Sequence, residues 1–139
     1  MGEALAAATR ALARRDYSER GLREKLQRAG IDVSELDETL EELRHVGLLD
    51  DERFAGRRAR ALAERGKGDQ AIRFDLRRQG IDAELIDSAL AELQPERARA
   101  ERIVSRRGAG AKTARLLASR GFDREAVELA AEAPIAPER

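Results

Sequence analysis

The chain has 139 residues, with 27 Lys and Arg against 27 Asp and Glu, one His and no Cys. That length fits one domain or a short array of small units. Zero net charge excludes bulk attraction to nucleic acid or membrane, and the lack of cysteine excludes a disulfide frame, a thiolate zinc site and a thiol nucleophile. Charged residues make up 39% and aromatics 3%, and the apolar residues are mostly Ala and Leu, strong helix formers. An all-α chain with a thin core is expected. No apolar run is long enough to span a bilayer, and Met1–Ala13 lacks the basic start and apolar block of a signal peptide.

Taken in order, Leu5, Ala8 and Leu12 share one face of a first helix over Glu3–Arg15. Ser18 is the N-cap of a second, which carries Leu22, Leu26 and Ala29 inward. Asp32 and Ser34 compete to cap a third, with Leu36, Leu40, Leu43 and Val46 on its apolar stripe; Ser34 and Asp37 resemble a capping box. Next comes Gly47-Leu48-Leu49-Asp50-Asp51-Glu52-Arg53-Phe54. With Asp50 as N-cap, Leu49 and Phe54 occupy the positions of a hydrophobic staple, and Asp51 and Glu52 sit where the helix dipole favours anions.

From here the chain repeats at an offset of fifty. Leu62 answers Leu12, Ile72 answers Leu22, and Ile86, Leu90 and Leu93 answer Leu36, Leu40 and Leu43. Gly66-Lys67-Gly68 breaks the first two helices of this unit, and Pro95 separates it from a third. The third unit is expected as helices over Glu96–Arg107, Lys112–Arg120 and Asp123–Glu132, with a weaker core because Ala131 stands in the slot of Leu40 and Leu90. Pro134 and Pro137 end order.

One turn recurs three times. Leu26-Gln27-Arg28-Ala29-Gly30-Ile31-Asp32, Leu76-Arg77-Arg78-Gln79-Gly80-Ile81-Asp82 and Leu117-Ala118-Ser119-Arg120-Gly121-Phe122-Asp123 each read as a helix end, a left-handed Gly and a new N-cap. The Schellman cap brings the Leu against the apolar residue after Gly. The fold predicted is three tandem three-helix repeats, 1–49, 50–94 and 95–133, in an elongated curved array, with a disordered tail over 134–139. Units of about forty residues are small for independent stability, so neighbours are expected to bury shared faces. The last unit should open first.

Charge alternates within the units. Up to Gly30 there are seven basic residues against four acidic; from Ile31 to Asp50 there is one basic against seven acidic. Arg53 to Gly80 holds nine against three, Ile81 to Glu96 none against five, and Arg97 to Phe122 eight against one. Two basic helices followed by an acidic one would align, on stacking, into a basic and an acidic stripe. The bland alternative is a solvated surface laced with i,i+4 pairs.

Catalytic chemistry is thin. His45 is read as a last-turn dipole partner, and the Asp50-Asp51-Glu52 carboxylates as caps rather than a cation site. Gly66-Lys67-Gly68 and Gly108-Ala-Gly110-Ala-Lys112-Thr113 are read as turns leaving helix N-termini bare; the second resembles a phosphate loop but lacks the preceding strand. Tyr17, Phe54, Phe74 and Phe122 are read as core or turn anchors rather than a base-stacking platform. A helix-turn-helix reading would put the acidic helix in the DNA groove, where it is repelled. No enzyme, metal or cofactor is expected.

The chain resembles the RecX family of bacterial regulators of the RecA recombinase. The resemblance lies in Ala11-Leu12-Ala13-Arg14-Arg15-Asp16-Tyr17-Ser18 with Leu22-Arg23-Glu24-Lys25-Leu26, in Gly47–Ala55, and in the turn Leu76–Ile81. Two positions depart from the family's pattern: Leu48 for Tyr, and Gly21 for the Glu that would complete a capping box with Ser18. The Leu is expected to preserve the joint. The resemblance implies an all-helical crescent of three repeats. It also implies a cytoplasmic, non-catalytic protein that binds RecA or the RecA–DNA filament and inhibits its recombinase, ATPase and co-protease activities. A monomer is expected, with no membrane partner.

The candidate partner-binding residues are Arg14, Arg15, Arg23, Lys25 and Arg28 in the first unit, and Arg57, Arg58, Arg60, Arg73, Arg77 and Arg78 in the second. Arg106, Arg107, Lys112 and Arg115 complete the set in the third. The alternatives are sequence-independent DNA binding through the basic stripe, for which weak direct DNA contact is the minimal form, and a generic helical scaffold for another protein.

Overall fold

A computed structural model describes residues 2–132; the expected disordered tail lies outside them. The described residues form nine α-helices: α1 Gly2–Arg14, α2 Glu19–Arg28, α3 Val33–His45, α4 Asp51–Glu64, α5 Asp69–Arg78, α6 Ala83–Ala91, α7 Glu96–Arg107, α8 Ala111–Ser119 and α9 Arg124–Ala131. They group in threes, as the repeated turn predicts. Gly30, Gly80 and Gly121 have φ of 87°, 82° and 84°. In each turn the apolar residue's N–H donates to the Leu carbonyl, at 3.1, 3.0 and 3.1 Å, which is the Schellman pattern. Gly47 and Gly66 end α3 and α4 the same way, through Leu48 N–H to Leu43 and Lys67 N–H to Leu62.

Helix starts follow the predicted chemistry, with exceptions. Ser18, Asp50, Asp82 and Asp123 each accept the N–H three residues on. Asp32 is the N-cap of α3 by position, but its carboxylate instead accepts the Ser34 hydroxyl at 3.3 Å. The Ser34–Asp37 box therefore does not form. Pro95 precedes α7 as its N-cap rather than entering it.

Each repeat has its own apolar cluster. Ala8, Ala11, Leu22, Leu26, Leu36, Leu40, Leu43 and Leu49 fill the first. Phe54, Ala55, Ala59, Leu62, Ile72, Leu76, Ile81, Ile86 and Ala89 fill the second. The third is Ala100, Ala114, Leu117, Phe122, Ala126 and Ala130, four alanines in six residues. The inward face of α1 is Ala4, Ala8 and Ala11, with Leu5 and Leu12 at its rim. Its burial pattern is one residue out of step with the offset of fifty, so Leu62 answers Ala11 rather than Leu12. Ala8, Ala59 and Ala100 are fully buried equivalents. Ala29 is an exposed C-cap and Val46 is 55% exposed, because both helices have already ended there. Leu49 and Phe54 enter different clusters, the first and the second, so the expected staple instead anchors α4 to two repeats. Leu48 is 52% exposed and does not hold that joint.

The repeats are joined at helix ends, not by the shared apolar faces that were expected. The Ser18 hydroxyl, fully buried, accepts from Gly21 N–H at 3.0 Å and donates to the Gln79 carbonyl at 2.7 Å. The start of α2 is thus set against the end of α5. One repeat on, Gly68 N–H donates to the Arg120 carbonyl at 2.8 Å and Gln70 N–H to Gly121 at 3.1 Å, setting α5 against α8. A carboxylate from the following repeat completes each joint. Asp51 accepts Glu19 N–H at 2.8 Å, and Glu96 accepts Asp69 N–H at 2.6 Å. The N-terminus of α5, expected bare, is occupied. Gly110 N–H donates to Ala130 at 2.7 Å, closing the far end within the third repeat.

Glycine is required at these contacts for space, and at Gly121 for its φ of 84° as well. A Cβ on Gly68 would lie 2.5 Å from the Gly121 backbone, and one on Gly121 would lie 2.6 Å from the Ala71 backbone nitrogen; on Gly30 it would meet nothing. Gly30→Ala should therefore lose only the left-handed penalty, about 1–2 kcal/mol. Gly121→Ala should lose clearly more in the same urea unfolding measurement; equal losses would mean the joint does not need the close approach. The Thr39 hydroxyl is buried without a partner, so Thr39→Val should raise stability by about 1 kcal/mol in that assay.

Candidate partner-binding surface

The joints place the middle helices α2, α5 and α8 end to end, each N-terminus against the next C-terminus. Six of the fifteen candidate cations lie on this column and are exposed: Lys25 and Arg28 on α2, Arg77 and Arg78 on α5, Lys112 and Arg115 on α8. The side chains of Lys25, Arg28, Arg77, Lys112 and Arg115 make no ion pair or hydrogen bond with another described residue.

Three candidates are committed inside the molecule. Arg23 pairs with Asp37 at 2.8 Å and Arg73 with Asp87 at 2.8 Å. Both partners lie fifty residues on from their counterparts, so one bridge is built twice, tying basic middle helix to acidic third helix. Arg58 grips Asp75 with two parallel bonds, Nε to Oδ1 at 2.8 Å and Nη2 to Oδ2 at 2.9 Å. Their half-buried setting follows, and these three fit structural bridges better than contacts to a partner.

The rest are looser. Arg57 reaches Asp16 across the first joint at 3.8 Å, a weak contact. Arg15 lies over the Tyr17 ring at 4.7 Å. Arg78 lies 3.6 Å from Asp75 and 5.7 Å from the Phe74 ring. Arg14 is exposed and alone among the described residues. Arg60, Arg106 and Arg107 gather at a cleft between the second and third repeats, and Arg107, Lys112 and Arg115 line a neighbouring hollow.

Phe74 is 63% exposed, against its reading as a core anchor. Ile72 and Leu76 take the inward face of α5, and a residue midway between them points away. Tyr17 is half-buried, whereas Phe54 and Phe122 are buried as expected. Arg65, Arg102 and Arg120 join the cleft and were not singled out from sequence. The signal was present for one of them: Arg99, Arg102 and Arg106 are spaced i, i+3, i+7 on α7, one helical face.

The acidic helices expose Asp37, Glu38, Glu41 and Glu42 on α3, and Glu84 and Asp87 on α6. On α9 Arg124 stands beside Glu125 and Glu128, so the acidity of the third helix is weaker in the last repeat than in the first two. Of the acidic run at the start of α4, Asp50 caps its own helix and Asp51 caps α2.

The carboxylates at the joints and the bridge titrate in opposite senses. Burial pushes Asp51 and Glu96 above their ordinary 3.8 and 4.5, against the bonds they accept from Glu19 and Asp69 N–H. The hydrogen bond from Arg58 holds Asp75 below 3.8, against a smaller opposing effect of burial.

Two family models match the chain: "RecX, first three-helix domain" over residues 4–43 and "RecX, second three-helix domain" over residues 50–90. Together they cover more than half of it. The chain belongs to the RecX family. A "Regulatory protein RecX" of Syntrophotalea carbinolica (strain DSM 2380 / NBRC 103641 / GraBd1) is 47% identical over 57 residues. Those residues are 41% of this chain and 37% of that relative, so the likeness spans little more than a third of its length. The crystal structure of RecX from Lactobacillus salivarius has a TM-score of 0.77 at 20% identity, over 92% of each chain. A second crystal structure of a regulatory protein RecX gives 0.79 at 22%, over 93% of this chain and 71% of that one. Both share the RecX fold of tandem three-helix units. With Gly21 in place of the family's usual Glu, Ser18 still caps α2, and Asp51, from α4, takes the Glu19 N–H rather than the Ser18 N–H that a box Glu would accept. No described helix is long and apolar enough to cross a membrane.

The lowered Asp75 value makes a pH prediction. A depressed folded pKa contributes stability that is present above 3.8 and lost as pH falls through the depressed value. Asp75→Asn should therefore be less stable than the parent at pH 7, by about 1–3 kcal/mol for a lost charged hydrogen bond. The gap should close in urea titrations carried below pH 3.8. For Asp51 and Glu96 the sign reverses: the proton favours the folded chain, and that contribution fades as pH rises through their raised values.

Proposed function

We propose that this chain binds RecA or the RecA–DNA filament and inhibits its recombinase, ATPase and co-protease activities. It does so by binding, without catalysis, as a single copy in the cytoplasm. Its three repeats, taken as 1–49, 50–94 and 95–133, act as one unit. The observation that supports this most is the column of α2, α5 and α8, which carries exposed, unpaired cations through all three repeats. The acidic α3 and α6 are bridged to that column at Arg23–Asp37 and Arg73–Asp87. A filament with DNA and protein walls offers both signs of charge to such a pair of surfaces. Membership of the family favours RecA as that partner.

Within the column, Lys25, Arg28, Arg77, Arg78, Lys112 and Arg115 are the contacts assigned to the partner. Arg14, Arg15, Arg57, Arg60, Arg106 and Arg107 stand at its flanks. Phe74 adds an exposed aromatic beside Arg78, and aromatic residues and Arg are enriched at interfaces.

The test is RecA ATPase on single-stranded DNA, titrated with the chain. The parent should suppress turnover. Arg28→Glu, Arg77→Glu and Arg78→Glu combined should keep full helicity by circular dichroism and need at least about tenfold more protein for the same suppression, as for loss of interface charges. Phe74→Ala should raise the half-inhibitory concentration by roughly tenfold. Unchanged inhibition by the folded triple variant would contradict the assignment of the column.

A further inference from the structure

We infer that the cleft between the second and third repeats is a binding site for a compact oligophosphate of nucleoside-triphosphate size. Its walls are the end of α4, the end of α6 and the length of α7, and it is an open cleft of about 500 Å³. That is the size of a small-molecule site. Seven arginines line it; Arg99 is spent on bonds within the fold, and six remain: Arg60 and Arg65 at the end of α4, Arg102, Arg106 and Arg107 from α7, and Arg120 just past α8. No side chain of these six makes an ion pair or hydrogen bond with another described residue.

Unpaired cations also stand singly along the middle-helix column, but here six converge on one hollow, whereas Arg20, Arg23, Arg44, Arg58, Arg73 and Arg97 each find a carboxylate. Inside the cleft Glu64 and Glu92 stand within the same walls, yet the six guanidinium groups remain free of them. Six cations against two anions leave four positive charges uncompensated. At physiological salt the screening length is about 8 Å, so groups lining one cleft repel one another. An anion entering it relieves that repulsion. Guanidinium forks match phosphate oxygens two at a time, and several forks around one cavity suit several adjoining phosphates. The uncompensated charge corresponds to that of a triphosphate near neutral pH.

One wall is fixed in place. Arg99 donates to the Gln94 carbonyl at 3.0 Å, to the Lys67 carbonyl at 3.0 Å and to the Asp69 carboxylate. This locks α7 onto the α4–α5 turn and holds Arg102 and Arg106, three and seven residues on, toward the cleft. The lining also has an apolar part, with Leu93 and Ile103 half-buried, against which a nucleoside can rest. An acidic peptide or an extended nucleic-acid strand would meet the same charge, but the short cleft with its apolar wall suits a compact ligand better than an extended one.

The inference does not depend on RecA, and its test contains none. ATP and inorganic triphosphate are titrated calorimetrically into the full chain at low salt. Arg102→Ala with Arg106→Ala is compared with Arg28→Ala with Arg77→Ala, which lie outside the cleft. All four side chains are exposed, and circular dichroism checks that both variants fold. The expected result is one site for ATP, weakened at least tenfold by the cleft substitutions and unmoved by the others. Equal affinity for inorganic triphosphate would assign the phosphates alone and still support the site. No binding, or equal loss in both variants, would overturn it. So would a single-stranded oligonucleotide or polyglutamate held at the cleft that ATP cannot displace, because the occupant would then be an extended polymer.

Discussion

The contact on which the array depends is the meeting of one middle helix's first turn with the next one's last. A helix start has unsatisfied N–H groups and partial positive charge, and a helix end has unsatisfied carbonyls and partial negative charge. Setting α2 against α5 and α5 against α8 lets each end answer the other, through Ser18 to Gln79 and through Gly68 to Arg120. The approach is so close that Gly68 and Gly121 admit no side chain. A carboxylate from the following repeat, Asp51 or Glu96, takes an N–H that remains. The repeats are therefore joined by polar groups, and three small cores stay separate.

That arrangement determines what the surface can do. Polar joints leave the flanks of the column uncovered, so cations on α2, α5 and α8 remain available to a partner. The bridges from Arg23 and Arg73 to the third helices hold the acidic surface beside the basic one. At the second joint the same geometry opens a cleft whose arginines have no internal use.

What could be read from the sequence was what is decided within a few residues. The turns at Gly30, Gly80 and Gly121 and the caps at Ser18, Asp50, Asp82 and Asp123 are local chemistry, and they stand as expected. Asp51 accepting from Glu19 spans 32 residues and depends on how repeats stack, which periodicity does not specify. The expectation of shared apolar faces failed because the joints are made of caps. Some of the site was legible and overlooked. Arg23 and Arg73 share an offset of fifty with Asp37 and Asp87, so a repeated bridge was written in the numbering. Phe74, midway between Ile72 and Leu76, was already on the outer face.

The central claim is that the middle helices form one rigid column. Because the chain has no cysteine, Arg28→Cys and Lys112→Cys supply the only attachment points for a pair of spin labels, at the two ends of that column. Pulsed dipolar spectroscopy should return a single narrow distance distribution. A broad or two-peaked distribution in the folded protein would show that the repeats swing freely, and the column would not exist.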